Sequence, residues 1–258
     1  MHAFQALDVQ GGHFALLPLG QHSFILRTAN HQIAFDPYLT ADANRLVPPP
    51  VGPADLADCD LILGSHDHSD HIDRPSLPAI AAAAKHAVML VPEAVRATVP
   101  FPPERLKGMN DGDVFEIDGV RVTAVAAAHE LLDRDPATGL YPYLGFVVET
   151  DGITVYHSGD CCIYEGLQTK LSRWRFNLMM LPINGRDAKR LRNNCIGNMT
   201  YQEAVDLAGA LKPALVVPAH FDMFAMNLAD PQLFRDYLEA KYPALKTQIP
   251  VPGQPICL

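Results

Sequence analysis

At 258 residues the chain is long enough for one large domain or two small ones, and 48% hydrophobic with 19% charged residues is the make-up of an ordinary soluble globular protein. The formal charge of −9 excludes a general electrostatic footprint for long nucleic acid, so an anionic substrate would need a local basic patch. Five cysteines (Cys59, Cys161, Cys162, Cys195 and Cys257), odd in number and without a C-x-x-C pair, argue against a disulfide framework or a zinc knuckle and for reduced thiols in a cytoplasm.

The chain opens without the basic and apolar regions of an export signal, and no run is long enough to span a bilayer, so a cytoplasmic protein without membrane attachment is expected. His13 to Leu19, Ser23 to Thr28 and Gln32 to Phe35 read as short strands separated by turn signals at Gly20-Gln21 and Ala29-Asn30. The third runs into Asp36-Pro37. That carboxylate either initiates a turn before proline or faces a site at the strand end, and the residues alone weigh the two evenly. Val47 to Pro53 is proline-rich and irregular, Ala54 to Ala57 forms a short helix, and Asp60 to Leu63 is an apolar, buried strand.

That strand ends in Gly64-Ser65 and delivers His66-Asp67-His68-Ser69-Asp70-His71. In extended backbone His66 and His68 project to one side and can offer two imidazoles to one ion, while a turn after Ser69 brings Asp70 and His71 towards a neighbouring ion. Packing alone explains such a run poorly, because each buried polar group would need its own partner. Imidazole and carboxylate suit Zn(II), Mn(II) or Fe, and the lack of thiolate argues against a closed structural zinc site.

Further on, Pro75 to Lys85 reads as helix, Ala87 to Val91 as strand and Glu93 to Thr98 as a second helix. Asp118-Gly119 and Asp151-Gly152, each between β-rich runs, mark two hairpins. Strands with interspersed helices, repeated roughly twice, fit two mixed sheets packed face to face with helices outside, with residues 1–258 as one domain. Three more apolar strands end in a candidate ligand: Val120 to Ala128 at His129, the second hairpin at Asp160, and Leu215 to Ala219 at His220. Singly each is weak, and His129 alone reads more readily as a half-buried histidine. Together with the motif they deliver ligands at four strand ends, as a site along one sheet edge requires.

The H-x-H-x-D-H run followed by His129, Asp160 and His220 resembles the metallo-β-lactamase superfamily. That resemblance implies a four-layer αββα sandwich, an α/β fold of two mixed sheets. It implies two divalent ions, Mn(II) or Zn(II): His66, His68 and His129 on one, Asp70, His71 and His220 on the other, and Asp160 bridging them. It also implies that Asp36 supports the ligands from behind, and that Asp70 or Asp160 orients the nucleophile. His22 and His157 are not required by the pattern and are read as structural, lining the site at most. Cys161 and Cys162 are read as buried filler.

Leu181-Pro182-Ile183-Asn184-Gly185-Arg186-Asp187, continuing to Gly197-Asn198-Met199-Thr200, resembles the L-ascorbate-6-phosphate lactonase branch, as does Leu19-Gly20-Gln21. Thr200 and Glu203 stand in capping-box spacing. Arg186, Lys189, Arg190 and Arg192 are either a solvated charge run or an anion-binding rim, since guanidinium groups grip phosphate in bidentate fashion. The resemblance implies a hydrolase in which metal-activated hydroxide opens a small, phosphorylated sugar lactone, with Arg186, Asn184, Arg190 and Arg192 contacting the substrate. The expected partner is a small anionic substrate, not long nucleic acid or membrane, and a homo-oligomer is left open. One competing reading is a phosphodiesterase for a small diester or nucleotide. The other is a non-enzymatic metal- or ligand-binding protein that kept the fold, against which stands the presence of every expected ligand.

Overall fold

In the computed structural model, which describes residues 2–258, two mixed sheets are built to the same plan. After a short helix α1 (His2–Gln5), strands β1 (Ala15–Gly20), β2 (Ser23–Arg27) and β3 (Gln32–Phe35) form an antiparallel meander. Strands β4 (Leu61–Leu63), β5 (Val88–Pro92) and β6 (Leu106–Met109) then join it in parallel, with α2 (Leu77–Ala83) crossing between β4 and β5. The second half repeats this. Strands β7 (Val114–Ile117), β8 (Val120–Ala126), β9 (Leu144–Thr150) and β10 (Ile153–His157) are antiparallel. Strands β11 (Leu178–Pro182) and β12 (Leu215–Ala219) are added in parallel, through crossovers carrying α3 (Leu167–Leu171), α4 (Ala188–Arg192) and α5 (Tyr201–Leu211). Finally α6 (Pro231–Lys241) leads to β13 (Ile256–Cys257), which returns to the edge of the first sheet beside β1.

Alternation of side chains along each strand divides the apolar residues between two faces. Leu16, Phe24, Ile33, Phe35 and Leu63 point between the sheets and meet Val122, Phe146, Val155, Met180 and Val217. Their neighbours Leu17, Ile25, Ala34 and Ile62 point outwards beneath α2, while Val147, Tyr156, Met179 and Val216 pack on the other side against α5 and α6. Each of the larger aliphatic and phenylalanine side chains among them contributes about 1.5–3 kcal/mol on burial, and the result is the expected αββα sandwich.

Both Asp-Gly hairpins form, with positive φ at Asp118 (45°), Gly119 (86°), Asp151 (48°) and Gly152 (81°), the geometry of a two-residue type I′ turn. The capping box at Thr200 and Glu203 is present at the start of α5. The expected helix over 93–98 is reduced to a turn and a 3-10 segment, Arg96–Thr98, because so short a piece between Pro92 and Pro100 does not recover the cost of helix nucleation. The helix expected at 54–57 is likewise 3-10, over Pro53–Leu56.

Strand direction fixes the place of the site. Strands β3 and β4 run parallel in one sheet, and β10, β11 and β12 in the other. Strand β8 is two antiparallel steps from β10 and so shares its direction. All the segments that carry candidate ligands leave the carboxyl ends of these strands.

Candidate metal centre

The loop after β4 supplies His66, His68, Asp70 and His71; the segments after β8, β10 and β12 supply His129, Asp160 and His220. One donor atom from each of His66, His68, His129 and Asp160 lies within 4.8 Å of the others, and the same holds for Asp70, His71 and His220. Asp160 joins the two groups. Its Oδ2 is 3.5 Å from His129 Nε2 and 3.1 Å from His220 Nε2, and its Oδ1 is 3.3 Å from His71 Nε2. His71 Nε2 and His220 Nε2 each lie 3.6 Å from Asp70 Oδ2, and His66 Nε2 is 2.9 Å from His68 Nδ1.

Backbone conformations that are uncommon for side-chain-bearing residues aim these groups. Asp36 and His220, each just past a strand, have φ of 43° and 58°, a left-handed region that is costly outside glycine and typical of functional strand ends. Gly159, with φ 57°, has no room for a side chain: a Cβ there would sit 2.6 Å from the Leu144 carbonyl oxygen and 2.8 Å from Ser65 Cβ. The β10 end thus passes directly over β9 and the Gly64-Ser65 turn, and this seats Asp160 in the centre.

Asp36 is fully buried and holds the motif loop from behind. Its Oδ1 accepts the Ser65 N–H at 2.7 Å, and its Oδ2 accepts the Ser65 hydroxyl at 2.7 Å and His71 Nδ1–H at 2.6 Å. With its proton fixed on Nδ1, His71 presents Nε2 to the cluster. Asp36 thus contacts the Ser65 turn and His71 of the motif loop directly.

Burial and mutual repulsion keep most of the imidazoles neutral, as ligation requires. Desolvation lowers His129 to about 4 and holds His66 well below its usual value, with neighbouring histidines adding to the effect. For His71, burial also pulls downward, but the carboxylates of Asp160, Asp70 and Asp36 lift it to about 10. Against the upward push of burial, His220 and His71 hold Asp160 well below the carboxylate range.

Buried atoms without a hydrogen-bond partner test whether a cation fits. Among the described residues, His71 Nε2, Asp160 Oδ1, His220 Nδ1 and both ring nitrogens of His22 are such atoms. Unpaired buried lone pairs are costly, and a divalent cation satisfies several of them at once. The donors are imidazole and carboxylate only. Cys161 Sγ points instead to the Cys162 carbonyl oxygen (3.1 Å), and burial pushes its thiol up to about 12. The residues present therefore fit one or two oxygen- and nitrogen-loving divalent ions.

The basic cluster is differently disposed from an open anion rim. Arg186 forms a two-pronged ion pair with Glu203 (2.6 and 2.7 Å), and Arg190 pairs with Asp187 and donates to the Leu228 carbonyl oxygen at 2.8 Å. Arg192 is exposed at the end of α4. Asn184 is buried, accepting from Asn198 Nδ2 at 3.1 Å. These contacts tie the 184–200 loop together and engage the two guanidinium groups internally.

Two residues at the centre went unrecognised in the sequence, and a third, His22, was given at most a lining role. Gln21, with φ 56° in the β1–β2 turn, donates from Nε2 to Asp70 Oδ2 at 2.8 Å and lies 3.1 Å from His220 Nε2. The Tyr143 ring stands 5.3 Å from both His66 and His129. His22, read as structural, sits at the floor of the cluster. The available signal was Gln21-His22 itself, two bulky polar residues in a tight turn where Asn or Gly is usual.

Imidazoles and carboxylates gathered at the carboxyl ends of two face-to-face mixed sheets define the metallo-β-lactamase class of fold. A family model described as the beta-lactamase superfamily domain matches residues 31–221. The chain is 31% identical over 231 residues to a UPF0173 metal-dependent hydrolase of Pyrococcus abyssi, covering 88% of this chain and 94% of the relative. It is 29% identical over 244 residues to one of Methanosarcina mazei, covering 93% and 96%. It belongs to the metallo-β-lactamase superfamily and, within it, to the UPF0173 metal-dependent hydrolases. Two solved structures share the fold: Igni18, a metallo hydrolase from Ignicoccus hospitalis (TM-score 0.72, 22% identity, 95% of this chain and 98% of that one), and an isothiocyanate hydrolase from Delia radicum gut bacteria (TM-score 0.73, 19% identity, 95% and 99%). No helix among the described residues is long and apolar enough to cross a membrane.

Proposed function

We propose that this protein is a metal-dependent hydrolase that opens a small lactone. The observation that carries the hydrolase reading is the position of Asp160, whose two oxygens stand between two sets of converging imidazoles. His66, His68 and His129 would hold one cation and Asp70, His71 and His220 the other, with Asp160 shared. A divalent ion so held supplies a Lewis acid for a carbonyl or phosphoryl oxygen and makes water a nucleophile near neutral pH.

The chain's own residues orient and exclude. Asp36 fixes the His71 tautomer, and Gln21 Nε2 holds Asp70 Oδ2 towards the cluster. Asp70 is more exposed than Asp160, and His71 and His220 keep it ionised against burial. Asp70 is therefore the carboxylate on the approach side that would orient an attacking water, while Asp160 would be shared between the two halves of the site. The buried ligands leave the Asp70 and His68 side as the approach for substrate.

The lactone bond is supported by the resemblance of the 181–187 and 197–200 segments to the ascorbate-phosphate lactonase branch. A phosphate handle would have to compete with Glu203 for Arg186 and with Asp187 for Arg190, so the reading rests on the carbonyl centre and not on the handle. The test is to present one metal-loaded preparation with a sugar lactone, its phosphorylated counterpart and a small phosphodiester. Lactone opening that is lost in His129→Ala supports the proposal. Diester cleavage with both lactones inert would replace it by the phosphodiesterase reading.

A further inference from the structure

The β1–β2 turn contributes a histidine that the superfamily pattern does not use. His22 is fully buried, and neither of its ring nitrogens has a hydrogen-bond partner among the described residues. Its Nδ1 lies 3.6 Å from Asp160 Oδ1, beyond a hydrogen bond, and Asp160 Oδ1 is itself 3.3 Å from His71 Nε2. These last two atoms are also buried without a partner. Three donors that the fold leaves unsatisfied thus face one another, and they lie within 4.8 Å as a third ligand-like group.

The seat of His22 is built. His157, on the strand end across the cluster, donates from Nε2 to the His22 carbonyl oxygen at 2.9 Å and accepts the Gly159 N–H on Nδ1 at 3.3 Å. Both nitrogens of His157 are thereby spent on holding backbone, with its ring 4.2 Å from that of His22. A histidine retained at position 22 for packing alone would leave two buried nitrogens unpaired, at a cost of about 1–3 kcal/mol each, where phenylalanine or leucine would leave none.

We propose that His22 is a ligand of the second cation, which it would hold together with His71 and Asp160. This rests on the metal-dependent reading of the centre. It makes that position richer in nitrogen than the family pattern, with His22, His71 and His220 all directed at it. Ligation through the neutral imidazole lone pair releases no proton from His22 and needs no change in its position in the turn.

Cobalt(II) titration of the metal-stripped protein tests the assignment by spectrum as well as by affinity. In His22→Gln, which keeps a hydrogen-bonding amide in the cavity, one of the two equivalents should bind as in the wild type and the other should weaken by about 10- to 100-fold. In His22→Cys one equivalent, and not the other, should bring a thiolate-to-cobalt charge-transfer band in the near ultraviolet that the wild type lacks. A structural residue would not produce that band. Two cobalt ions bound to His22→Cys without it, or both affinities unchanged in folded His22→Gln, would overturn the assignment and leave the other ligands standing. A wild type that takes up no cobalt would overturn the metal reading and this assignment with it.

Discussion

Asp36→Asn puts the support of the metal loop to a quantitative test, because it preserves shape and changes only charge and proton count. In the native arrangement the carboxylate accepts three hydrogens, from Ser65 N, Ser65 Oγ and His71 Nδ1. An asparagine has one oxygen to offer. If that oxygen serves the Ser65 N–H, the amide N–H₂ faces His71 Nδ1, which must then lose its proton, and the proton moves to Nε2 where the cation would bind. If the amide is flipped, it meets the Ser65 N–H donor instead. Either way a buried donor faces a donor in the metal-loaded state, at about 1–3 kcal/mol, which is about 5- to 150-fold in affinity for the cation that His71 would hold. In the metal-free state, loss of charge assistance on three buried hydrogen bonds should cost about 2 kcal/mol, a fall of about 5 °C in melting temperature for a chain of this size. Competition with a chromogenic chelator reads the first effect and thermal unfolding of the stripped protein the second. A variant matching the wild type within about threefold in second-site affinity, and within about 1 °C in melting, would refute the tautomer argument.

Other outcomes follow from the same contacts. The stripped protein should be most stable near pH 6.5. Below that value the unfolded chain protonates histidines that burial holds down in the fold, His22 and His129 at about 4 and His157 at about 3, so stability falls with pH by up to about 1.4 kcal/mol per unit for each. Above it the contribution of His71, raised to about 10, is progressively lost as pH climbs. Urea midpoints of the stripped protein at several pH values check both limbs, and a midpoint that rises monotonically with pH would contradict them. Metal binding at pH 8 should release about one proton, from His71 Nε2, measurable by calorimetry in buffers of different ionisation enthalpy. Arg186→Ala should cost no more than about 1 kcal/mol, since its ion pair with Glu203 is half-exposed, and should leave the preference between phosphorylated and plain lactone unchanged. A selective rise in KM for the phosphorylated substrate would show that Arg186 leaves Glu203 to bind it. Gly159→Ala should be among the most damaging single-methyl changes in the chain, reducing both stability and metal occupancy, because the new Cβ meets the Leu144 carbonyl and Ser65.

The centre was legible where chemistry is contiguous or ends a strand. His66, His68, Asp70 and His71 stand in one loop, and His129, Asp160 and His220 each follow an apolar run, so their convergence needed only the strand directions to be right. Gln21, His22 and Tyr143 were less legible as site residues, because Gln21 and His22 sit together in a short turn outside the strand-end pattern and Tyr143 is a single side chain brought in by packing. The arginine segment shows the reverse. Its charge density suggested an open rim, yet the partner of Arg186 is Glu203, seventeen positions on, and only the close approach of the 184–200 loop to the start of α5 reveals the pairing. The two halves of the sandwich were foreshadowed by the repeated strand pattern. The extent of the short helices was not, because pieces of a turn or less are decided by local proline spacing and packing more than by propensity.

Metal stoichiometry measured against activity tests the central claim most directly. The protein would be stripped with chelator and returned stepwise to Mn(II) or Zn(II), with bound metal counted by mass spectrometry and lactone opening followed at each step, in the wild type and in Asp160→Ala. The account predicts hydrolysis that appears only as metal is bound and reaches its plateau by two equivalents per chain, and an Asp160→Ala variant that is folded but at least about 100-fold less active. Undiminished hydrolysis by the stripped protein, or full activity in Asp160→Ala, would contradict it.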